Sequence, residues 1–295
     1  MSQSVSQSNV LHNNELSNRI ILSLCQLSGL SYKPQEFFDE NWERPYSKDC
    51  CSFEVLSKKP RLIKSYRDCT CYISIINDDS LLVVFRGTNN LHDWFADANV
   101  IRVSMDLEGV QKKDRPCVHW GMLRQIRSIE TEITQFINNE VLENDQIRNI
   151  IFTGHSLGGG LATVAAQNFG HKYNFLNCMC VTFGAPRVGD ENFKKRFNKV
   201  CKFSKRYVNE YDPIPSFPFS WRYTHVCPGS LINKNNMIYS ETTFSRLLVV
   251  AWYQFINCFG AQYNPVDDHS IYDYYAKLES IFDEILPFEI EVELV

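Results

Sequence analysis

A chain of 295 residues, 44% hydrophobic and 22% charged, has ordinary globular make-up and enough apolar mass for one large core. Its 30 basic against 34 acidic side chains leave a net charge of −4, which removes any electrostatic case for nucleic acid as a partner. The polar start, Met1 to Asn9, lacks the basic flank and apolar core of a signal peptide. Eleven cysteines, an odd number with no C-x-x-C pair, read as buried free thiols and not as a disulfide or metal framework. Together these features predict a reducing, cytoplasmic location and a disordered tail over residues 1–17. No internal repeat or low-complexity linker divides the rest, so residues 18–295 read as a single domain with an insertion at about 231–268.

In chain order, Asn18 to Leu30 is helical by composition and ends near Gly29, whereas Tyr32 to Pro60 shows no clear period. Tyr72–Ile76 and Leu81–Phe85 are two β-rich runs around the turn-forming Asn77-Asp-Asp-Ser, which predicts a hairpin whose second strand is buried on both faces. That strand delivers Arg86-Gly87-Thr88. Leu91, Trp94 and Phe95 follow at helical spacing, a short amphipathic helix with its apolar face in the core or over a site. Leu123, Ile126, Ile129, Ile133, Phe136 and Ile137 predict one flanking helix, ended by Asn138-Asn139.

The next stretch organises the chain. An apolar run, Ile150-Ile-Phe152, stops at Gly154-His155-Ser156-Leu157-Gly158, and helix-forming residues follow from Leu161 to Ala166. Strand, tight turn and helix around G-x-S-x-G describe an elbow that exposes one strained serine at a helix N-terminus, where backbone N–H groups face any developing oxyanion. No Lys-Ser/Thr follows the glycines, so a phosphate-binding P-loop is excluded. Strands at Cys178–Phe183 and Lys205–Asn209, separated by a charged helical stretch over Glu191–Lys202, continue an α/β pattern with a mostly parallel sheet.

Beyond the last of these strands, Asp212 stands before a proline-stiffened loop with Glu210 as its competitor. An apolar segment from Leu247 to Gly260, interrupted by Gln254 and Asn257, is too short to span a bilayer and reads as a core helix or a lipid-surface helix. Asp267-Asp-His269-Ser opens a final helix with Ile271, Tyr274, Leu278 and Ile281 on one face, placing His269 in a loop free of the core. Phe288 to Leu294 alternates as a strand would.

A serine at its normal pKa needs an imidazole to take its proton, and the imidazole needs an acid to fix its tautomer. Ser156, Asp212 and His269 occur in the α/β-hydrolase order, with His225 as the rival base and His119 as a structural hydrogen-bonder. Thr88, just past a strand end, can supply half of an oxyanion hole, or merely cap a turn.

From Leu81 to Tyr275 the chain resembles the fungal-type, or class 3, lipases. The resemblance rests on Val84-Phe-Arg-Gly-Thr88, Asp93-Trp94 to Asp97, His119-Trp-Gly121, Thr153-Gly-His-Ser-Leu-Gly-Gly159, Thr182-Phe-Gly-Ala-Pro-Arg-Val-Gly189, Val208-Asn-Glu-Tyr-Asp-Pro-Ile-Pro215 and Asp268-His269. It implies an α/β-hydrolase fold with Ser156 as nucleophile, Asp212 as acid and His269 as base, and Thr88 with the Leu157 N–H as oxyanion hole. It also implies a short helical lid over Asn90–Ala96 that carries Leu91, Trp94 and Phe95. The expected activity is hydrolysis of lipid carboxylic esters, acylglycerols first, at a membrane or droplet surface, without cofactor or metal. The contrasting expectation is a catalytically silent lipase-like scaffold that binds lipid or protein. The chain departs from the secreted members in lacking a signal peptide and an obvious disulfide set, and in its insertion before His269.

Overall fold

The computed structural model describes residues 11–12, 15–42, 51–65, 67, 69–88, 101–105, 110–218, 221–233, 235, 237–240 and 267–285. A short antiparallel pair, β1 (Leu11–His12) and β2 (Glu15–Leu16), precedes α1 (Asn18–Leu30). Ser17 caps that helix by accepting from the Ile20 N–H, and Ile20, Ile21, Leu24 and Leu27 form its buried stripe. Where the sequence shows no period, the chain forms α2 (Gln35–Asn41) and a 3₁₀ turn at Cys51–Val55.

Three antiparallel strands come next: β3 (Arg61–Lys64), β4 (Thr70–Ile76) and β5 (Ser80–Phe85). The expected hairpin is β4–β5. Its turn places Asn77 and Asp78 at φ 47° and 62°, a region that short amide and carboxylate side chains tolerate. A separate ribbon pairs β6 (Arg102–Ser104) with β7 (Cys117–His119). The chain then alternates through α3 (Trp120–Arg127), α4 (Glu130–Glu143), β8 (Asn149–His155), α5 (Leu157–Lys172), β9 (Asn177–Phe183), α6 (Glu191–Val200) and β10 (Cys201–Asn209). β11 (Gly229–Ile232), β12 (Ile238–Ser240) and α7 (Ile271–Ile285) complete the described elements.

The single helix expected from Leu123 to Ile137 is two helices. Ser128 donates its hydroxyl to the Gln125 carbonyl at 2.6 Å and lies 2.7 Å from Ser65 Oγ, ending α3, while Ile129 turns into the core before α4 begins. Asn138 and Asn139 do not stop α4. Asn138 accepts from the Tyr173 hydroxyl at 2.9 Å and the helix runs on to Glu143.

The central sheet has eight strands in the order β12-β11-β10-β9-β8-β5-β4-β3, parallel from β5 through β11 and antiparallel at both ends. Strand alternation divides the apolar side chains between two cores. Leu81, Val83, Phe85, Ile150 and Phe152 meet α3, α4, α5 and α6, whereas Leu82, Val84, Ile151, Val181 and Phe183 meet α1 and α7. In register, Phe85 pairs with Gly154, His155 with Phe183 and Phe183 with Tyr207, so the parallel strands finish in line. The loops leaving that edge carry Thr88, Ser156, Gly184 and Asp212, where an open α/β sheet presents its ligands. Among the described residues no helix is long and apolar enough to cross a membrane.

Candidate active site

The elbow forms where β8 gives way to α5. Ser156 sits between them at φ 59° and ψ −130°, a conformation that costs a residue with a side chain about 1–3 kcal/mol. Close backbone approach holds it there. A Cβ on Gly154 would stand 2.5 Å from the Gly158 carbonyl carbon, one on Gly159 would stand 2.7 Å from Ala185 Cβ, and one on Gly158 would run into the Phe85 carbonyl oxygen. The Ser156 N–H donates to the Phe183 carbonyl at 3.0 Å, tying the turn to β9. Because the obstacle at Gly158 is backbone, Gly158→Ala should lower the unfolding free energy by about 3 kcal/mol or more, read as a fall in denaturation midpoint at constant m. A variant within 1 kcal/mol of wild type, a tolerance expected only of open surface positions, would mean that the strand–helix contact is looser than this.

Asp212 follows β10 and is fully buried. Its Oδ2 accepts from His269 Nδ1 at 2.7 Å and from the Tyr274 hydroxyl at 2.6 Å, and its Oδ1 accepts from the Ile214 N–H at 2.8 Å. Asn209, last residue of β10, holds the other side: its N–H donates to the Tyr274 hydroxyl at 2.9 Å, and its amide donates to the Asp268 carbonyl and to Asp273 Oδ2, both at 2.8 Å. The turn carrying His269 is thereby clamped to the strand that carries the acid. His269 is not free of the core as expected but 2% exposed, because Asp212 and His155 enclose its ring. Gly184, at φ 60°, packs so closely that a Cβ there would lie 2.9 Å from both Asp212 Oδ2 and His269 Cε1.

The competitors are engaged elsewhere. Glu210 accepts from the Tyr239 hydroxyl at 2.8 Å. His225 Nε2 lies 2.7 Å from the Pro215 carbonyl and 2.9 Å from an Arg206 guanidinium nitrogen. Ser156 Oγ and His269 Nε2 are both buried, neither has a hydrogen-bond partner among the described residues, and they are not bonded to each other.

His155 is the residue to which sequence reading assigns no role. Its ring centroid lies 4.5 Å from that of His269, its Nε2 is 2.7 Å from the His269 carbonyl oxygen, and its Nδ1 is 3.1 Å from the Tyr32 hydroxyl. A neutral ring donating at Nε2 and accepting at Nδ1 satisfies both contacts. Burial, reinforced by the neighbouring His269 ring, holds its pKa well below the ordinary 6.5. Below pH 6.5 the unfolded chain therefore takes up a proton at this position that the folded chain refuses, and stability falls with pH by up to about 1.4 kcal/mol per unit. Above 6.5 the effect vanishes. Melting temperatures measured downward from pH 7 should drop more steeply for wild type than for His155→Gln, and parallel slopes would place the acid sensitivity elsewhere, for instance at buried His119, whose pKa burial also lowers.

Thr88 lies three residues past the end of β5, half-buried, and Leu157 is the first residue of α5, where N–H groups have no intrahelical partner. Leu91, Trp94 and Phe95, the rest of the expected lid, the apolar segment over 247–260 and the closing 288–294 lie outside the described residues.

The family model for class 3 lipases matches residues 82–221. A phospholipase A1-II 1 of Oryza sativa subsp. indica is 29% identical over 163 residues, covering 49% of this chain and 41% of its own. A secreted mono- and diacylglycerol lipase A of Penicillium cyclopium is 26% identical over 171 residues, covering 57% and 53%. The chain thus spans about half or less of these curated relatives. A solved Rhizomucor miehei lipase propeptide complex superimposes with a TM-score of 0.64 at 23% identity, over 77% of this chain and 70% of that one. The expected cytoplasmic location does not survive these comparisons, since the Penicillium relative is secreted and the Rhizomucor lipase has a propeptide. Nor do the thiols mark a compartment. Cys25, Cys69, Cys71, Cys117, Cys178, Cys180, Cys201 and Cys227 are free, and burial pushes Cys25, Cys71, Cys180 and Cys201 well above 9.0, which leaves little reactive thiolate. With its ordered motifs, its mostly parallel sheet and its serine elbow, the chain has the α/β-hydrolase fold, and over residues 82–221 it is similar to the class 3 lipases.

Proposed function

We propose that the chain hydrolyses carboxylic esters of lipids, acylglycerols first, through an acyl-enzyme on Ser156. The observation that carries this reading is the buried Asp212–His269 pair, 2.7 Å apart, standing at the sheet edge where the strained Ser156 begins α5. In the proposed cycle Ser156 Oγ attacks the ester carbonyl carbon as His269 Nε2 takes its proton, and Asp212 stabilises the imidazolium. The tetrahedral oxyanion accepts hydrogen bonds from the Leu157 N–H and from Thr88, each on the order of 3 kcal/mol at the transition state. The C–O bond to the alcohol breaks as His269 returns the proton to the leaving oxygen. Water, deprotonated by the same nitrogen, then attacks the acyl carbon and releases the fatty acid and Ser156. The serine–imidazole bond has yet to close in this structure, and such bonds often tighten only with substrate in place.

That open contact is also the observation that favours the second reading, a lipase-like scaffold without turnover. A fluorophosphonate probe separates the two, because it labels only an activated serine. Wild type should be labelled and Ser156→Ala should not, and an unlabelled wild type that also releases no fatty acid establishes the scaffold. The names of the relatives point to mono- and diacylglycerols and to phospholipids as the first substrates to try. Fatty-acid release from tri-, di- and monoacylglycerols and phosphatidylcholine ranks them, and the acylglycerol assignment fails if phosphatidylcholine alone is cleaved.

A further inference from the structure

We infer that a basic cleft flanking the candidate active site binds the phosphate of an anionic phospholipid and anchors the chain to a lipid surface. The cleft, about 440 Å³, lies between α3, β6 and the β3–β4 turn. Arg67, Arg124 and Arg127 bring three guanidinium groups to it, Ser104 a hydroxyl and Trp120 an indole, and among the described residues no carboxylate lines it. The Arg124 guanidinium lies over the Trp120 ring, 5.0 Å from its centroid. Among the described residues neither Arg124 nor Arg127 is in an ion pair. In a chain of net charge −4, Arg124 and Arg127 side by side on one helix face are a local concentration of positive charge, and the guanidinium fork suits phosphate oxygens.

The surroundings favour a lipid over a soluble phosphate. The exposed Trp120 side chain, 43% accessible, lines the arginine cleft, and the Trp120 backbone N–H donates to the carbonyl of Ile101, a second exposed apolar residue at 51%. Indole beside arginine is the pairing found where headgroups meet acyl chains, and an inorganic ion has no use for it. The cleft also keeps company with the elbow. On the inner face of α3, Met122 packs so near Gly160 that a Cβ there would lie 2.9 Å from its Cε, and the Gly160 N–H donates to the Ser156 carbonyl. A phosphate seated here would hold the surface beside the edge of the sheet where Ser156 stands.

The test uses the full chain carrying Ser156→Ala, so that lipid survives and binding is read independently of the hydrolase reading. Co-sedimentation with phosphatidylcholine vesicles, with and without phosphatidic acid, should show preference for the acidic vesicles. Arg124→Gln with Arg127→Gln should weaken that partitioning by about tenfold or more, given two basic groups near an anionic surface. Lys199→Gln with Lys202→Gln, exposed residues where α6 meets the start of β10, makes the same charge change at the far end of the sheet and should alter it by less than about twofold. Equal losses in both pairs would mean that overall charge, not the cleft, governs binding. No loss in the arginine pair would also overturn the proposal. Saturable binding of inorganic phosphate by calorimetry, with no vesicle preference, would assign the cleft to a soluble ligand instead. Since both arginines are exposed, unchanged melting curves should accompany the loss.

Discussion

Ser156→Ala should lower kcat on a short p-nitrophenyl ester by about 10⁴-fold or more, leaving only what an oxyanion site and binding contribute without a nucleophile. The substitution removes one buried oxygen that has no hydrogen-bond partner among the described residues, so near- and far-ultraviolet circular dichroism should be unchanged. Alanine inherits the backbone conformation at φ 59° and with it the strain. Ser156→Gly does not, because glycine occupies that region without steric penalty, and it should be more stable than Ser156→Ala by about 1 kcal/mol while equally inactive. The pair of variants separates the two roles of the position: in the proposed cycle the hydroxyl carries the chemistry, and the Cβ carries the strain that the packed glycines hold in place. Retained turnover in both would move the nucleophile to another side chain.

How much of this was legible beforehand depends on whether the cause is local. The elbow is local, since Gly154, Ser156, Gly158 and Gly159 lie within six residues and their spacing encodes the turn. The β4–β5 hairpin is local for the same reason. The break between α3 and α4 is not, because the apolar stripe runs unbroken from Leu123 to Ile137 and the hydroxyl that ends α3 has its second partner at Ser65, sixty-three positions away. Chain order points to His269 as the base, yet its burial depends on Asp212, Asn209 and His155, which only the parallel register of β8, β9 and β10 gathers. His155 adjoins Ser156 in the sequence and so faces away from it. Facing away is what puts its ring under His269 and its Nδ1 against Tyr32 from the end of α1. The location failed for a different reason: buried thiols and a polar start describe the core and the N-terminus, and neither is a chemical measure of compartment.

Asp212→Asn should lower kcat by about 10³–10⁴-fold with a much smaller change in KM, because it leaves the shape of the site and reverses its hydrogen-bond logic. Three donors converge on the carboxylate, His269 Nδ1–H and the Tyr274 O–H at Oδ2 and the Ile214 N–H at Oδ1. An amide offers one acceptor oxygen and one NH₂ group. If the amide oxygen takes the Oδ2 position, its NH₂ faces the Ile214 N–H and a buried donor is left unsatisfied, at about 1–3 kcal/mol. If it takes the Oδ1 position, its NH₂ faces His269, whose Nδ1 must then accept, so the proton moves to Nε2 and the imidazole can no longer receive one from Ser156. Either way no negative charge remains to stabilise the imidazolium. Glu210→Gln provides the control: that carboxylate is bonded to Tyr239, and its loss should leave kcat within about threefold. Should Asp212→Asn retain turnover within tenfold while Glu210→Gln loses it, the acid of the site is the wrong one of the two, and the mechanism written on the Asp212–His269 pair falls with it.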